Sequence, residues 1–517
     1  MEHRPVLIVG GGPVGLAAAI DLRLHGVPVV VLEEDETVGA GSRAICWSKR
    51  TLEIFDRLGV AEPVVAKGIT WNRGKVFFRD RMVYAFDLLP EGGHKFPAFV
   101  NLQQYYVERL LAARAVELGV DLRWRHRLVG LCGTPDGVRA TVEAPAARYE
   151  IDSEWLVAAD GVRSAVRKLL GLDFRGQVFN DRFLISDVKM RAEFPTERWF
   201  WFDPPFHRGQ SALLHRQADD VWRIDLQLGA DADPDEERRP ERVIPRIRAM
   251  LGADVEFELE WVSVYTFQCR RLDRFRHGRV LFAGDAAHTV SPFGARGGNG
   301  GIQDADNLAW KLALVVRGEA PPALLDSYDA ERLPAADEDI RHSTRSTDFI
   351  TPKSAMSRAF RSATLALAEY HAFARRMVNS GRLSTPFAAM HSPLVTPDTD
   401  RFESALCPGA PCLDAPLRVG AEPRWLLESL GGGFVGLWFA SDGAAPPQDD
   451  GQGWRLRSVS AQEDAQGLLA ARYDGRPGTF YLIRPDQHIA ARWRTFEATK
   501  VRAALRRSLG GELEVDD

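Results

Sequence analysis

A glycine-rich turn near the amino terminus and an acidic residue beyond it are the first groups whose types and spacing could do chemistry. Residues 10–15 read GGGPVG and follow a short apolar run, residues 6–9. Glycines at the first, third and sixth positions let the backbone approach a pyrophosphate, and the following helix offers it free N–H groups. Glu33 ends the next apolar run, 23 positions beyond Gly10 (33 − 10), where a carboxylate can bind both ribose hydroxyls of an adenosine. This spacing predicts a dinucleotide site.

The charges beside this turn bear on which dinucleotide it binds. Glu34 and Asp35 follow Glu33 directly, and their negative charge would repel a 2′-phosphate. The sequence therefore favours FAD or NAD over NADP, and the motif alone does not separate these two.

A second glycine-dense stretch, residues 278–318, carries the other candidate site. The apolar run 280–283 predicts a buried strand, and Asp285 follows its carboxyl end, where it could accept hydrogen bonds from sugar-alcohol hydroxyls or simply cap a turn. Glycines crowd residues 294–301, which predicts a loop whose bare backbone can approach a ligand. Apolar residues recur at helical spacing from Ile302, so we expect a helix to begin there and to direct its positive end at an anionic or electron-rich ring.

The elements that position these residues alternate between α/β and β-rich segments. We expect an α/β fold in which a Rossmann-like domain is interleaved with a largely β substrate domain and followed by a small C-terminal domain. A long amphipathic helical region is expected over residues 335–382. The predicted bounds are 1–72, 100–178 and 276–385 for the Rossmann-like domain with its helical extension, 73–99 and 179–275 for the β-rich domain, and 386–517 for the C-terminal domain.

Composition narrows the class of protein. At 517 residues, with 45% hydrophobic and 26% charged residues, the chain is long enough for two or three globular domains. A net charge of −5 gives no sign of a nucleic-acid partner. Five cysteines without a CxxC pair or metal-ligand spacing predict a reducing compartment and no metal. No apolar run reaches the about 18 residues of a spanning helix, and no signal-like region precedes Val6, so we expect a cytoplasmic protein without membrane contact.

Three elements in a fixed order carry a family resemblance. GGGPVG with Glu33, DGVRSAVRK at 160–168 and GDAAH at 284–288 resemble the single-component FAD-dependent aromatic hydroxylases, the group of p-hydroxybenzoate hydroxylase and phenol hydroxylase. The resemblance covers roughly residues 5–385. It implies non-covalent FAD, NADH or NADPH as co-substrate, and transfer of oxygen from O2 to a small phenolic substrate through a flavin C4a-hydroperoxide, as in the catabolism of aromatic compounds. It leaves a homodimer open.

The resemblance also implies roles for particular residues. Arg43 and Gln104 would line the flavin, and Gly298 and Asn299 would present backbone N–H groups to its pyrimidine end. Asp285 would bind the ribityl hydroxyls. The implied cofactor-binding residues are Gly10, Gly12, Pro13, Val14, Gly15, Glu33, Glu34, Arg43, Gln104, Asp160, which would pack near the pyrophosphate, Asp285, Pro292, Gly298 and Asn299.

Substrate contacts are expected from β-strands that face the ring. Arg223, in VWRIDLQL, is similar in placement to a family arginine that faces the flavin. His215 or Tyr265 could relay a phenol proton. Where the family usually has a glutamine, this chain has Arg296, which puts a positive charge close to the reacting face. A carboxylate on the substrate would answer these arginines, and so would a neighbouring Asp or Glu. The expected catalytic residues are Arg223, His215, Tyr265 and Arg296.

Two other classes share parts of this pattern. An NAD-linked dehydrogenase would have the GGGPVG turn but would not explain the stretches at 160 and 284. A flavoprotein of the same fold with diverted chemistry, a reductase or a decarboxylating oxidase, would share all three motifs. The tail resembles the thioredoxin-like C-terminal domain of phenol hydroxylases without a redox CxxC, which predicts a structural or oligomeric role.

Overall fold

The computed structural model describes residues 2–511 apart from residues 40, 42, 43, 193, 379–382, 421, 441–444 and 449–452. Strands and helices are numbered separately in chain order. The strands are β1 Glu2–Val9, β2 Val29–Glu33, β3 Cys46–Ser48, β4 Ile69–Trp71, β5 Arg73–Phe78, β6 Arg81–Asp87, β7 Phe99–Asn101, β8 Asp121–Trp124, β9 Arg127–Gly133, β10 Val138–Glu143, β11 Arg148–Ala158, β12 Arg175–Lys189, β13 Arg198–Phe202, β14 Ser211–Arg216, β15 Val221–Leu228, β16 Glu258–Arg271, β17 Arg276–His277, β18 Val280–Phe282, β19 His288–Thr289, β20 Pro416–Val419, β21 Glu422–Trp425, β22 Phe434–Phe439, β23 Trp454–Val459, β24 Phe480–Ile483 and β25 Ile489–Trp493.

The helices connect and cover these strands. They are α1 Pro13–Leu24, α2 Lys49–Leu58, α3 Ala61–Lys67, α4 Gln104–Glu117, α5 Ala165–Leu169, α6 Pro234–Glu237, α7 Pro240–Leu251, α8 Gly297–Val316, α9 Asp326–Ile350, α10 Ala355–Ala368, α11 Ala372–Val378, α12 Leu426–Leu430, α13 Leu468–Tyr473 and α14 Ala498–Ser508, with 3-10 turns at Gly284–Ala286 and Pro322–Leu325. The mixture confirms the predicted α/β class. Across the part of the chain that is described, we find no helix long and apolar enough to cross a membrane.

The first sheet has the strand order β17-β18-β11-β1-β2-β8, with β10 pairing β11 and β9 pairing β10. Its central strands are parallel, and the register places Val9 opposite both Leu32 and Ala158, and Ala158 opposite Phe282. The residues that follow these four strand ends therefore emerge at one edge of the sheet. In open parallel sheets this carboxyl edge is where ligands bind.

The second sheet has the order β19-β16-β12-β15-β14-β13-β5-β6. Successive side chains of each strand point to opposite faces. One face, the outer face, is apolar and packs on α7 through a cluster that includes Leu214, Ile224 and Val243. The other, the inner face, turns towards a separate three-stranded sheet of order β3-β7-β4, since the ring of Trp71 in β4 lies 5.8 Å from that of His215 in β14.

The C-terminal part forms a four-stranded sheet of order β23-β22-β24-β25, in which only the β22–β23 pair is parallel. This is the strand order of a thioredoxin-like sheet, as the resemblance implies. The sheet shares a hydrophobic cluster with α8, because Trp310 of α8 packs with Phe434, Trp438 and Phe480. The C-terminal part is thus packed directly on the helix that begins at the glycine-dense stretch.

Two predicted helices differ from those observed. The helix expected from Ile302 begins at Gly297. Glycines of its first turns fit between neighbouring loops where a larger side chain would clash, and this close packing favours a helix here over a loop. The long helical region predicted over 335–382 is divided into α9, α10 and α11. Thr351 ends the helical hydrogen bonding of α9, and a capping box at Ser354 and Ser357 starts α10.

Candidate active site

Three loops that lie far apart in the sequence meet at the carboxyl edge of the first sheet. A β-carbon added to Gly10 would lie 2.4 Å from the carbonyl oxygen of Ala159. One added to Gly301 would lie 2.6 Å from Val14 and 3.1 Å from the Cα atom of Gly284. Only glycine permits approaches this short. The turn at 10–15, the end of β11 and the GD stretch therefore form one site, although 274 positions separate Gly10 from Gly284 (284 − 10).

The turn at 10–15 has the geometry of a phosphate cradle. Gly10 has φ +108°, and a β-carbon on Gly15 would lie 2.0 Å from the Gly10 carbonyl oxygen. A β-carbon on Gly12 would instead meet nothing within 4 Å, so open space adjoins the start of α1. Pro13 is the first residue of α1, and no side chain caps the helix at Gly12. The positive end of α1 thus faces this space, where an anion is favoured.

Glu33 lies beside the turn as the spacing predicts. Its Oε2 atom accepts a hydrogen bond from the N–H of Gly11 at 2.6 Å, and Oε1 accepts one from Asp35 at 3.0 Å. Burial raises the pKa of the Glu33 carboxyl, and the two backbone bonds oppose that rise. Each carboxylate oxygen can accept a further hydrogen bond, so acceptors remain for two ribose hydroxyls. Glu34 is exposed beside it and contributes negative charge.

Asp160 follows β11 and lies against the same turn. Its Oδ2 atom accepts a hydrogen bond from the N–H of Val166 at 3.0 Å. Its Oδ1 atom is buried and has no hydrogen-bond partner within the described ranges. Burial raises the pKa of this carboxyl. Because an unsatisfied buried acceptor costs about 1–3 kcal/mol, a ligand group or an ordered water is expected to donate to Oδ1.

The loop that carries Arg43 is held by α4. Gln104 accepts a hydrogen bond from the N–H of Ala44 at 3.0 Å and donates to Glu108 at 2.7 Å. Glu108 also accepts the N–H of Gly39 at 3.0 Å. Gln104 therefore positions this loop, and its contact with a flavin stays a prediction. Arg43 itself lies outside the described residues.

The first turn of α8 lies at the ring end of the site. The side chain of Asn299 accepts hydrogen bonds from the N–H of Ser48 at 2.9 Å and the hydroxyl of Thr51 at 2.7 Å, and donates to the Cys46 carbonyl at 2.9 Å. This side chain ties α8 to β3 and α2. What α8 can offer a ligand is consequently its backbone, which is the role predicted for Gly298 and Asn299.

Two further predicted cofactor residues lie on the rim of this space. Asp285 is exposed in the 3-10 turn that follows β18. Pro292 is also exposed, and its carbonyl accepts the N–H of Ala295 at 3.1 Å, which closes a tight turn in which Ala295 has φ +53°. Their contacts with FAD remain predictions.

A buried triad that the sequence reading missed fixes the GD stretch. The Oδ2 atom of Asp304 lies 2.6 Å from His288 Nε2 and accepts the N–H of Gly284 at 3.0 Å, while Oδ1 accepts Arg332 Nε at 2.7 Å. Coulombic attraction to Asp304 raises the pKa of His288 against its burial. The available signal was an aspartate beside the apolar positions Ile302, Ala305 and Leu308 of α8. Asp304 holds the backbone of the loop that precedes Asp285.

The inner face of the second sheet carries a row of polar side chains. Cross-strand register places His215, Arg223, Asp187 and Trp261 side by side on β14, β15, β12 and β16. Arg223 donates Nε and Nη2 to the two oxygens of Asp187, each at 2.9 Å. Burial, with the nearby charges of Arg198 and Arg223, holds the pKa of His215 well below its usual range. His215 is therefore neutral, and a neutral imidazole can accept a hydrogen bond through one ring nitrogen.

The other two expected catalytic residues lie apart from this row. Tyr265 is half-buried on the same face and pairs with Phe183. Arg296 is buried at the start of α8 and donates to Asp339 at 2.8 Å. Arg223 and Arg296 thus each have a carboxylate partner. Their expected role as anchors for a substrate anion assumed that the two guanidinium groups are unpaired. In the described structure both of them are paired with a carboxylate.

The residues at this site fit FAD. The open cradle at Gly12 suits the pyrophosphate, and the remaining acceptors of Glu33 suit the ribose hydroxyls of the adenosine half. The unpaired Oδ1 atom of Asp160 suits a hydroxyl or an ordered water that donates to it. The start of α8 suits the ring. A separate cleft of about 560 Å³ between α2 and the C-terminal part is lined mainly by charged groups that pair with one another, such as Lys95 with Asp56 and Glu428.

Comparisons with known proteins agree with this geometry. Residues 3–343 match the protein family described as FAD binding domain. The 6-methylpretetramide 4-monooxygenase of Streptomyces rimosus is 33% identical over 97% of this chain and 92% of that protein. The 4-methyl-5-nitrocatechol 5-monooxygenase of a Burkholderia species is 30% identical over 95% of this chain and 94% of that protein. The crystal structure of the flavin-dependent monooxygenase PieE in complex with FAD and substrate has the same fold, with a TM-score of 0.84, 24% identity and 99% of both chains covered.

Proposed function

The chain belongs to the FAD binding domain family and is a FAD-dependent aromatic monooxygenase, and from that premise we propose that it hydroxylates a phenolic ring with NAD(P)H and O2. The observation that carries the proposal is the meeting of three glycine-dependent loops beside a polar sheet face. Val14, Gly284 and Gly301 lie in contact at the carboxyl edge of the first sheet. His215 and Arg223 lie on the facing sheet.

The residues divide the work by position. FAD, when bound, supplies the electron transfer and oxygen activation. The cradle at 10–15 and Glu33 hold its adenosine and pyrophosphate, and Asp285 holds the ribityl chain. The N–H groups of Gly298 and Asn299, at the positive end of α8, stabilise negative charge on the ring end. The inner face receives the substrate, where neutral His215 accepts a hydrogen bond from the phenolic hydroxyl and so increases the electron density of the ring.

The substrate class follows from the relatives and from the site. Relatives are named for a nitrocatechol and for 6-methylpretetramide. We propose that this chain takes a phenol of similar character. A second GxGxxG match, GGGFVG at residues 431–436, runs into strand β22 instead of joining a strand to a helix, so it lacks the context of a dinucleotide site. NADH or NADPH therefore docks transiently rather than on a domain of its own. The proposal includes cytoplasmic location, no nucleic-acid or membrane partner, and a C-terminal part with a structural role. Light scattering on the purified protein tests the homodimer that the resemblance leaves open.

The first test concerns the cofactor. The purified protein is expected to be yellow and to release FAD on heat denaturation. Asp285→Ala is expected to lose two charge-assisted hydrogen bonds of about 1.5–3 kcal/mol each and to weaken FAD by roughly a hundredfold or more. Asp235→Ala, at an exposed carboxylate of α6 that is 76% accessible, is the matched control and should leave FAD affinity unchanged. Equal FAD affinity in wild type and Asp285→Ala would reduce Asp285 to a turn residue, and release of NAD alone would refute the cofactor assignment.

The second test concerns the reaction. Hydroxybenzoates, hydroxyphenylpropionates, neutral phenols and polycyclic phenols are assayed for substrate-stimulated NAD(P)H oxidation, with mass spectrometry of the products. A product heavier by one oxygen atom, labelled from 18O2, is expected. NAD(P)H oxidation without an oxygenated product from any member would favour a reductase, and loss of CO2 without oxygen insertion would favour a decarboxylating oxidase.

A further inference from the structure

An arginine that the motifs did not single out stands at one end of the polar row of the inner face. In the β13–β14 pair Trp199 lies opposite Leu214, so the next position of the register puts Arg198 beside His215. Leu214 belongs to the outer face, and alternation then directs Arg198 and His215 inward. The row reads Arg198, His215, Arg223, Asp187 and Trp261 across five strands. Two guanidinium groups therefore flank the His215 ring.

The two arginines of the row differ in their partners. Asp187 holds Arg223 with two hydrogen bonds of 2.9 Å. Arg198 makes no hydrogen bond and no ion pair within 4.0 Å with any described residue. Burial lowers the pKa of its guanidinium, against the attraction of Cys46 and Asp225. A guanidinium away from bulk water without a partner is costly unless an anion answers it.

The surroundings of Arg198 show where that anion would come from. Arg198 and Cys46 both keep a partly accessible surface although they lie between the second sheet and the segment β3–β4–β7. They therefore line an internal space rather than a packed core. A cleft of about 280 Å³ opens beside it, lined by Trp71, whose ring contacts His215, and by Thr196, two positions before Arg198 on the same chain segment. Trp71 thus stands between this cleft and the His215 position of the row.

No carboxylate of the described residues lies within ion-pair distance of Arg198, although Asp225 in the neighbouring row attracts it. Burial raises the pKa of the Cys46 thiol to about 11, so it is neutral, and His215 is neutral as well. Asp225 lies on the same face in the neighbouring row, and its Oδ1 atom is buried without a hydrogen-bond partner in the described ranges. The attraction of Asp187 is already directed at Arg223.

We propose that Arg198 is the specificity-determining residue of the substrate cavity and that it binds an acidic oxygen, a carboxylate or an ionised hydroxyl, of the aromatic substrate. The assignment of that anion to the substrate rests on the proposed function. The guanidinium fork matches two acceptor oxygens, which orients the ring as well as attracting it. Arg198 acts by direct contact with substrate, and Arg223 with Asp187 forms the fixed wall beside it.

The test measures binding with matched acidic and neutral probes. FAD-loaded protein is titrated with 3-hydroxybenzoate and its methyl ester, and with 3-(3-hydroxyphenyl)propionate and its methyl ester, following the flavin absorbance change. Wild type is expected to bind each acid at least about tenfold more tightly than its ester. Arg198→Gln is expected to weaken the acids at least about tenfold and to change the esters by less than about twofold. Arg198→Lys should keep most of the preference, because it keeps the charge.

The control variant is Arg208→Gln, which removes an exposed arginine between β13 and β14 and should behave as wild type. Equal binding of acids and esters by wild type, or equal weakening of both by Arg198→Gln, would overturn the assignment of Arg198. If the esters are hydroxylated and Arg198→Gln changes neither binding nor product, the proposed function stands and this inference is refuted. Binding of acids that depends on Arg198, with no oxygenated product, would support the anion site while refuting the proposed function.

Discussion

Carboxylates decide which arginines near the ring can meet a ligand. Asp187 binds both ends of the Arg223 fork, and Asp339 accepts from Arg296. Charge-assisted pairs of this kind are expensive to break once they are buried, because the partner charge would be left alone. A substrate anion would have to compete with Asp187 at one position and with Asp339 at the other. At Arg198 no described carboxylate has to be displaced.

A pH prediction follows from Asp225 in the next row. Burial raises the pKa of this carboxyl to about 6, against the attraction of Arg223 and Arg198 and with repulsion from Asp187. Below pH 6 Asp225 is neutral, so Asp187 alone opposes the charges of Arg198 and Arg223. The inner face then carries a net positive charge. Above pH 6 Asp225 is ionised and that excess is cancelled. Binding of an anion should therefore be tighter at low pH and weaker at high pH.

We expect the affinity for 3-hydroxybenzoate to fall roughly threefold to tenfold between pH 5 and 7.5, since a charge in the neighbouring row is worth about 1 kcal/mol. Its carboxylate is ionised over this range, so the probe keeps its charge. Titration of the flavin absorbance at several pH values measures the effect. Asp225→Asn should give a flat profile, and a slope that persists in this variant would assign the pH dependence to another group.

At the scale of elements, glycines at the start of α8 set how closely three loops approach. A β-carbon on Gly301 would lie 2.6 Å from Val14 and 3.1 Å from the Cα atom of Gly284, whereas one on Gly297 would meet only Val290, at an ordinary 3.5 Å. The two glycines lie one turn apart in the same helix and differ in what surrounds them. One is required by packing, and the other is not.

We predict opposite effects of alanine at these positions on the apoprotein. Gly301→Ala is expected to lower the free energy of unfolding by about 1–3 kcal/mol through overpacking. Gly297→Ala should leave it unchanged or raise it by up to about 1 kcal/mol, because alanine favours the helix. Urea unfolding followed by circular dichroism measures both. A Gly301→Ala protein as stable as wild type would mean that the three loops are not packed as closely as described.

How far an element could be predicted from the sequence depends on whether the contacts that determine it come from its own residues or from residues far away in the chain. β18, Val280–Phe282, was predicted from the apolar run 280–283, because the burial of this strand is written in its own sequence. The start of α8 was not, because what permits a helix through GGNGG is contact with Val14 and Gly284, far away in the chain. For the same reason the motifs placed Glu33, while the partners Asp187 and Asp339 and the unpaired guanidinium of Arg198 needed the three-dimensional structure.

At the scale of the whole molecule, a buried ionic network joins the C-terminal part to the helices behind the site. Arg484, in the turn after β24, donates to Glu331 of α9 at 2.5 Å and to Asp486 at 2.5 Å. Lys311 of α8 donates to the same Glu331 at 2.7 Å. The carbonyl of Asp486 in turn accepts Arg50 of α2 at 2.8 Å. The C-terminal part is therefore fastened to α8, the helix whose first turn is proposed to contact the flavin.

The last prediction tests whether this network makes the chain one cooperative unit. Arg484 is 1% exposed, and replacing it by methionine would leave Glu331 and Asp486 buried with one fewer cation. We expect Arg484→Met to lower the free energy of unfolding by about 3–5 kcal/mol, the usual cost of removing one partner of a buried pair. Arg476→Met, at an arginine of the same part whose side chain is 61% exposed, should change it by less than about 1 kcal/mol.

Urea unfolding is followed by flavin release and by tryptophan fluorescence, to which the 13 tryptophans of the chain contribute, Trp310 of the shared cluster among them. If the network couples the parts, both signals should shift together in Arg484→Met, because loss of the C-terminal contacts exposes α8. A fluorescence transition that moves to lower urea while flavin release stays in place would show that the C-terminal part unfolds by itself. Its packing on α8 would then contribute nothing to holding the cofactor.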